Sequence, residues 1–169
     1  MKKSAYILVL GLILVLCGCG KTPEQSDKKD DIGKMIDAQR SVMKASDNVN
    51  KIVLETVKGF DGQEVTFDTL KNVLTANKEE QNTLRKSIQK QSTTELRTTI
   101  NDLFVSVIDN RIKNYNSLLE QVRLQDEKSL QVLVESIEKK DVELEQSVLT
   151  QINEQLKKKK VKQIDALKK

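Results

Sequence analysis

The stretch LRTTINDLFVSVIDNRIKNYNSLLEQV, residues 96–122, decides the fold class. Its apolar side chains return every three or four residues, the spacing that places them on one face of an α-helix. They are Leu96, Ile100, Leu103, Phe104, Val107, Ile108, Ile112, Tyr115, Leu119 and Val122. The stretch contains no glycine or proline. We therefore expect a long amphipathic helix that buries one face against neighbouring helices.

The same spacing precedes this stretch twice. Apolar residues between positions 32 and 57 predict a first helix with Asp31 as its N-cap, ending near Gly59 in a turn at residues 60–62. A second apolar stripe at residues 67–88 predicts a helix that is capped by Thr66. These two helices should pack on the third.

The boundaries of the later helices rest on capping signals. Ser92 and Glu95 have the spacing of a capping box and mark the start of the third helix. Asp126–Ser129 predicts the cap of a fourth helix, but no glycine or proline stands there, so one continuous helix is the alternative. A further apolar stripe follows at residues 130–156. Short connections favour antiparallel neighbours, so we predict an all-α antiparallel bundle of three to four long helices over residues 32–156.

Five polar residues stand at stripe positions of the first two helices: Gln39, Ser46, Asn50, Asn77 and Gln81. We interpret them as ordinary solvated interruptions. The alternative is that they fix the register of the helices or open a groove for a partner.

The N-terminus is typical of a secretory signal peptide. Lys2 and Lys3 precede an apolar run of about a dozen residues that ends before Lys21, which is shorter than the roughly 20 residues of a membrane-spanning helix. We assign residues 1–18 to the signal. Residues 19–31 are polar and predict a flexible tether.

Leu16-Cys17-Gly18-Cys19 resembles a bacterial lipobox, with an aliphatic residue, a small residue and a cysteine in the required order. The resemblance implies cleavage between Gly18 and Cys19 and a diacylglyceryl lipid on the Cys19 thiol. It also implies the extracytoplasmic face of the cell membrane as the location. No other cofactor is expected.

Two other readings of the cysteine pair fit less well. A structural zinc site needs four ligands, and the chain has no histidine and only the two cysteines. A disulfide between residues i and i+2 would close a small strained ring. Neither reading accounts for the apolar segment in front.

Charge is divided between an acidic body and a basic end. The whole chain carries +4, and residues 157–169 contain seven lysines and one aspartate. The chain from residue 19 to residue 156 therefore carries −4 once the signal lysines are removed. We assign residues 157–169 to a basic tail whose lysines contact anionic lipid or a wall polymer: Lys157, Lys158, Lys159, Lys160, Lys162, Lys168 and Lys169.

The conformation and place of this tail have alternatives. Val161, Ile164 and Leu167 at three-residue spacing suggest that the last helix continues, whereas a frayed, solvated end is the simpler interpretation. A four-helix topology would put the tail beside the start of the first helix, near the membrane. A three-helix topology would put it at the distal end, nearer wall polyanions.

Catalytic chemistry is not expected. The absence of histidine excludes histidine acid–base catalysis, and no glycine-rich phosphate loop occurs. Glu79, Glu80, Glu143 and Glu145 are interpreted as surface charge. Ser41–Lys44 matches S-x-x-K and Ser46–Asn48 matches S-D-N, but their near contiguity on one helix indicates chance.

The segments IDNRIKNYNSLLEQ (108–121) and EKKDVELEQSVLTQINEQ (138–155) resemble the cell-wall-binding lipoproteins of Gram-positive bacteria. The resemblance implies a helical exported protein associated with the envelope, and it assigns no binding residue. We thus expect a lipid-anchored, non-catalytic module that binds or scaffolds at the cell envelope, with no nucleic-acid partner. The alternative is an immunity or exclusion lipoprotein that captures a toxin, a phage component or a conjugation factor.

Overall fold

The computed structural model describes residues 29–60, 62–89 and 94–168, and these ranges contain four α-helices and no strand. The helices are α1 (Lys29–Lys58), α2 (Phe67–Gln89), α3 (Glu95–Leu124) and α4 (Glu127–Lys158). Consecutive helices pack on one another, and α1 also packs on α3 and α4. The predicted all-α antiparallel bundle is confirmed, and it has four helices. No helix in the described ranges combines the length and apolar character that crossing a bilayer requires.

Two predicted caps are confirmed by their hydrogen bonds. The Thr66 hydroxyl accepts from the backbone N–H of Thr69 at 3.2 Å at the start of α2. The Asp126 carboxylate accepts from the backbone N–H of Ser129 at 3.0 Å at the start of α4. Gln125, directly before Asp126, adopts a left-handed conformation with φ of 54°. The chain therefore breaks between α3 and α4 without a glycine or a proline.

Two other predicted starts are wrong by a few residues. Helix α1 begins at Lys29, so Asp31 lies in its first turn rather than at the N-cap, and the predicted tether loses its last three residues. An acidic residue in a first turn is stabilised by the helix dipole without capping. Helix α3 begins at Glu95 with Thr94 as its N-cap. Ser92 lies outside the described residues; three consecutive hydroxyl residues give the same capping signal in three registers.

The core consists of two apolar clusters, one in each half of the bundle. The first joins the start of α1 and α3 to the end of α2 and α4, through residues such as Ile36, Ile100, Ile88 and Ile152. The second joins the opposite ends, around Val57, and Phe60 and Phe67 close the α1–α2 turn with ring centroids 4.6 Å apart. Gly62 in that turn has φ of 72°, which favours glycine. Because the first cluster contains both, the end of α4 lies beside the start of α1.

The residues after α4 fold back onto the bundle, and we call Val161–Lys168 the C-terminal strap. The strap is neither the predicted helical continuation nor a frayed end. Lys160 turns the chain with φ of 55°, and the N–H of Val161 donates to the carbonyl of Leu156 at 2.9 Å. The Asn153 side chain then holds the backbone N–H and C=O of Ile164, both at 2.8 Å. Leu167 enters the first apolar cluster with 3% of its surface exposed.

Leu167→Ala should lower the free energy of unfolding by about 2–4 kcal/mol, because it removes a buried side chain and leaves a cavity. Urea denaturation followed by circular dichroism measures the change. The control is Val132→Ala on α4, where the side chain is 62% exposed, and it should change stability by less than about 0.5 kcal/mol. An unchanged midpoint for Leu167→Ala would contradict the packing of the strap.

Candidate functional site

Four of the five polar residues at stripe positions lie buried inside the bundle. Each of the four has at most 3% of its surface exposed: Gln39, Ser46, Asn50 and Gln81. Asn77 is part-buried, and its amide donates to the carbonyl of Val73 at 2.8 Å. The interpretation as solvated interruptions is therefore wrong for these four. Three of them belong to a polar layer between the two apolar clusters.

Arg111 of α3 is the centre of this polar layer, which we call the Arg111 layer. The layer also contains Ser46, Asp47 and Asn50 of α1, Gln81 of α2, Tyr115 of α3, and Asp141 and Glu145 of α4. The Arg111 side chain is fully buried. Its Nη2 donates to Asp141 at 2.8 Å and to Glu145 at 2.6 Å, and its Nη1 donates to the Ser46 hydroxyl at 2.7 Å. The guanidinium thus ties α1 and α4 to α3.

Uncharged side chains extend the layer to α2. The Ser46 hydroxyl donates to Gln81 Oε1 at 2.7 Å, and Gln81 Nε2 donates back to the Ser46 carbonyl at 2.9 Å. Tyr115 donates its hydroxyl hydrogen to Asn50 Oδ1 at 3.2 Å, and Asn50 Nδ2 donates to Asp141 at 3.3 Å. Because hydrogen bonds need short distances and near alignment, sliding one helix by a turn would break these bonds, and the layer therefore favours the observed register of the four helices.

Lys168 of the strap completes the layer from outside. Its Nζ lies 2.7 Å from Asp47 Oδ1 and 3.1 Å from Glu145 Oε2, and both carboxylates also lie within ion-pair distance of Arg111. Two cations, Arg111 and Lys168, therefore face three carboxylates, those of Asp47, Asp141 and Glu145. The strap is held by charge as well as by the packing of Leu167.

The electrostatics of the layer shift several pKa values. Burial by itself would raise the pKa of Asp47, but the bonded Lys168 and the nearby Arg111 hold it below its ordinary value. Burial would lower the pKa of Lys168, whereas Asp47 and Glu145 raise it. Burial raises the pKa of Tyr115 to about 12. At neutral pH the layer therefore contains charged Asp47 and Lys168 and a neutral Tyr115.

The Arg111 layer connects α1, α2 and α4 to α3. Its central groups are enclosed, and their donors and acceptors are bonded to one another. Within the described ranges, no group of three or more carboxylate, cysteine or histidine side chains is arranged to bind a metal ion. Removing one partner of such a buried network leaves an uncompensated charge, so the layer selects one packing of the bundle.

The structure divides the predicted basic contact residues into two groups. Lys157, Lys158, Lys159, Lys160 and Lys162 are exposed at the end of α4 and the start of the strap. Lys168 is instead part-buried and ion-paired with Asp47 and Glu145. Lys169 lies outside the described residues, as do Cys17, Gly18 and Cys19.

The remaining predicted positions behave differently from one another. Glu79, Glu80 and Glu143 are exposed, as expected for surface charge, but Glu145 is part-buried on Arg111, which corrects its assignment. The members of the S-x-x-K and S-D-N matches separate as well. Ser41 and Lys44 are exposed, whereas Ser46 and Asp47 belong to the Arg111 layer.

Sequence reasoning missed Arg111 and Asp141, although a signal was present. Arg111 lies three residues after Ile108 and four before Tyr115, which is a stripe position of α3. Asp141 lies four residues after Ile137, which is a stripe position of α4. Opposite charges at stripe positions of two neighbouring helices indicate a buried ion pair. Stripe positions face the core, and a charged side chain is seldom buried without a partner.

Comparison with protein-family models, with curated proteins and with solved structures finds no match to the chain.

Arg111→Met should lower the free energy of unfolding by about 3–5 kcal/mol, because it leaves buried carboxylates without their cation. Urea denaturation measures the loss. Arg123→Met is the matched control, since Arg123 lies exposed on the same helix and pairs with the exposed Glu120, and surface pairs of this kind contribute little. Equal stabilities of the two variants would contradict a structural role for the layer.

The pairing of Lys168 with Asp47 should give stability a distinctive pH dependence. Because the folded pKa of Asp47 is lowered, its contribution is present above about pH 4 and is lost as the pH falls through that lower folded value. Because the folded pKa of Lys168 is raised, its contribution is complete below about pH 10 and is lost as the pH rises through that higher value.

Lys168→Met should therefore reduce the loss of stability at low pH and the loss at high pH, relative to the unmodified chain. We call these two parts of the curve its acid and alkaline limbs. Urea midpoints from about pH 3 to about pH 11 test this. Lys113→Met, which removes an exposed lysine of α3, should keep both limbs. A profile of Lys168→Met that is parallel to that of the unmodified chain would exclude the ion pair as their source.

Proposed function

We propose that this protein is a lipid-anchored, extracytoplasmic helical module that binds or scaffolds at the cell envelope without catalysis. The proposal rests on one observation. Cys19 completes the lipobox-like Leu16–Cys19 directly after an apolar segment that has the length of a signal-peptide core. Two acyl chains on Cys19 would hold the chain stably on a membrane, since each buried CH₂ contributes about 0.8 kcal/mol.

The arrangement of charge supports a location near a bilayer surface. The exposed lysines, Lys157–Lys160 and Lys162, lie at the end of the bundle where α1 begins. The ten residues from Cys19 to Lys28 can span at most about 35 Å, since an extended chain covers about 3.5 Å per residue. An anchor at Cys19 would keep the lysines close to anionic headgroups, where each contributes about 1 kcal/mol.

A non-catalytic role is supported by the chemistry of the side chains. The sequence has no histidine. The polar groups that the fold collects, around Arg111, are enclosed and serve one another as hydrogen-bond partners.

Replacing Cys19 by alanine should abolish the lipid, because the Cys19 thiol is the acyl acceptor that the lipobox implies. Expression in a bacterium that processes lipoproteins, followed by fractionation and intact-mass analysis, tests this. The unmodified chain should begin at residue 19 and carry the mass of a diacylglyceryl group, whereas Cys19→Ala should lack that mass. An unprocessed Met1 start of the unmodified chain, or a Cys19→Ala variant that still gains the lipid mass, would refute the proposal.

The exposed lysines should govern a second, weaker and salt-sensitive attachment. Residues 19–169 with Cys19→Ser should bind vesicles that contain phosphatidylglycerol. The test variant changes the five exposed lysines of the basic end to glutamine together, and each change should reduce partitioning about fivefold: Lys157, Lys158, Lys159, Lys160 and Lys162. Binding should weaken as the salt concentration rises above about 0.1 M, where the Debye length is about 10 Å. Vesicle sedimentation measures both effects.

The control for this experiment changes the same number of exposed lysines elsewhere on the bundle: Lys44, Lys71, Lys113, Lys128 and Lys139. Its net charge equals that of the test variant, so a general charge effect would weaken both equally. Equal partitioning of the two variants would mean that the basic end has no special role.

A further inference from the structure

A groove runs between the first turns of α1 and the C-terminal strap, with a volume of about 920 Å³. Volumes of roughly 300–1,000 Å³ are usual for sites that hold small molecules. Its wall on the α1 side comes from positions 33, 36, 37 and 40, which share one helix face, and its other wall is strap residues 161–165. The groove therefore exists only while the strap is folded back.

Gly33 keeps this groove open at a cost to the helix. Glycine inside a helix is unfavourable relative to other residues. No contact in the fold calls for it, because a Cβ at position 33 would meet no atom within 4 Å. A side chain there would extend into the groove that Gly33 lines. Gly33 therefore lies where a larger side chain would reduce the volume of the groove.

The groove combines an apolar floor with a rim of net positive charge. Ile36, Val161 and Ile164 supply apolar surface, and these three residues belong to the first apolar cluster. Lys34, Arg40 and Lys162 line the groove together with two carboxylates, Asp37 and Asp165, so its cations outnumber its anions by one. A positive rim beside apolar surface fits a ligand that is itself amphiphilic and anionic.

Arg40 gives the groove a third cation, which two carboxylates hold in place. Its side chain is 14% exposed and is held by Asp165 at 2.9 Å and by Asp37 at 3.7 Å. Its Nε is buried, so it is the terminal part of the guanidinium that can line the groove. Arg40 therefore adds positive charge to the α1 wall.

We propose that this groove binds the phosphate and the adjoining ester and acyl segments of a single anionic phospholipid. Lys34, Lys162 and Arg40 would contact the phosphate, and Ile36, Val161 and Ile164 would contact the first part of the chains. A zwitterionic lipid lacks the net charge that the rim matches, and a polyanion such as a wall polymer lacks the apolar part. The biological setting rests on the proposed membrane anchor, whereas the binding itself does not need the anchor.

The test uses residues 19–169 with Cys19→Ser, which retain every helix and the strap, and a short-chain phosphatidylglycerol kept below its micelle concentration. Titration followed by NMR should give saturable single-site binding, with the largest shifts at the groove residues. Gly33→Leu should weaken binding at least about tenfold by filling the groove, and Lys162→Gln should weaken it about fivefold.

Matched variants separate the groove from general effects. Ala38→Leu adds the same apolar side chain to an exposed position of α1, and Lys113→Gln removes an exposed lysine of α3; both should bind as the unmodified chain does. Leucine is a better helix former than glycine, so Gly33→Leu should unfold at no lower urea concentration than the unmodified chain.

Several outcomes would overturn the proposal. No saturable binding, or unchanged binding by Gly33→Leu, would exclude the groove. Equal affinity for short-chain phosphatidylcholine would exclude charge recognition, and equal affinity for glycerol phosphate would reduce the site to an anion contact. Binding that appears only when the chain begins at Lys29 would mean that residues 19–28 are the occupant instead. Because the chain used here has no lipid anchor, the absence of groove binding would not affect the result of the Cys19→Ala test.

Discussion

The bundle depends on one buried guanidinium. Arg111 contacts groups on α1 and α4 from its position on α3, and Gln81 brings α2 into the same network through Ser46. Apolar stripes alone would let four amphipathic helices slide past one another by a turn, because leucine and isoleucine pack in many registers. A charge that is buried with specific partners allows one register, since any other leaves it uncompensated. The two apolar clusters supply most of the attraction, and the layer between them decides the arrangement.

Much of the fold could be predicted from local sequence. The three- and four-residue spacing gives the helical segments but leaves open whether α3 and α4 form one helix. Thr66 and Asp126 act as the caps that their positions indicate. Capping signals locate the start of a helix less precisely where several neighbouring residues can act as the N-cap. Asp31 was placed at the cap of a helix that begins at Lys29, and Thr94 caps α3 where Ser92 had the better motif. Errors of this size follow from capping chemistry that many neighbouring residues can perform.

The missing parts depend on contacts between distant residues. Val161, Ile164 and Leu167 have helical spacing, yet Asn153 captures the backbone of Ile164 and Lys168 reaches Asp47, which lies 121 residues away. The pattern of neighbouring residues does not predict contacts between residues so far apart in the chain. The burial of Glu145 was missed for the same reason, because its partner is on another helix. Of the candidate surface, the lysines could be read from the sequence, but the groove that they border could not, since half of its wall is the strap.

The division of the core by the Arg111 layer has a consequence for how the molecule opens. Each apolar cluster is a separate body of packing, and only the cluster near the start of α1 is reinforced by the strap. Cooperative opening tends to follow such units. Amide protons around the α1–α2 turn should therefore exchange with solvent through a lower-energy fluctuation than those beside Leu167. The bundle would then loosen first at the end away from the start of α1, while the end that carries the strap stays closed.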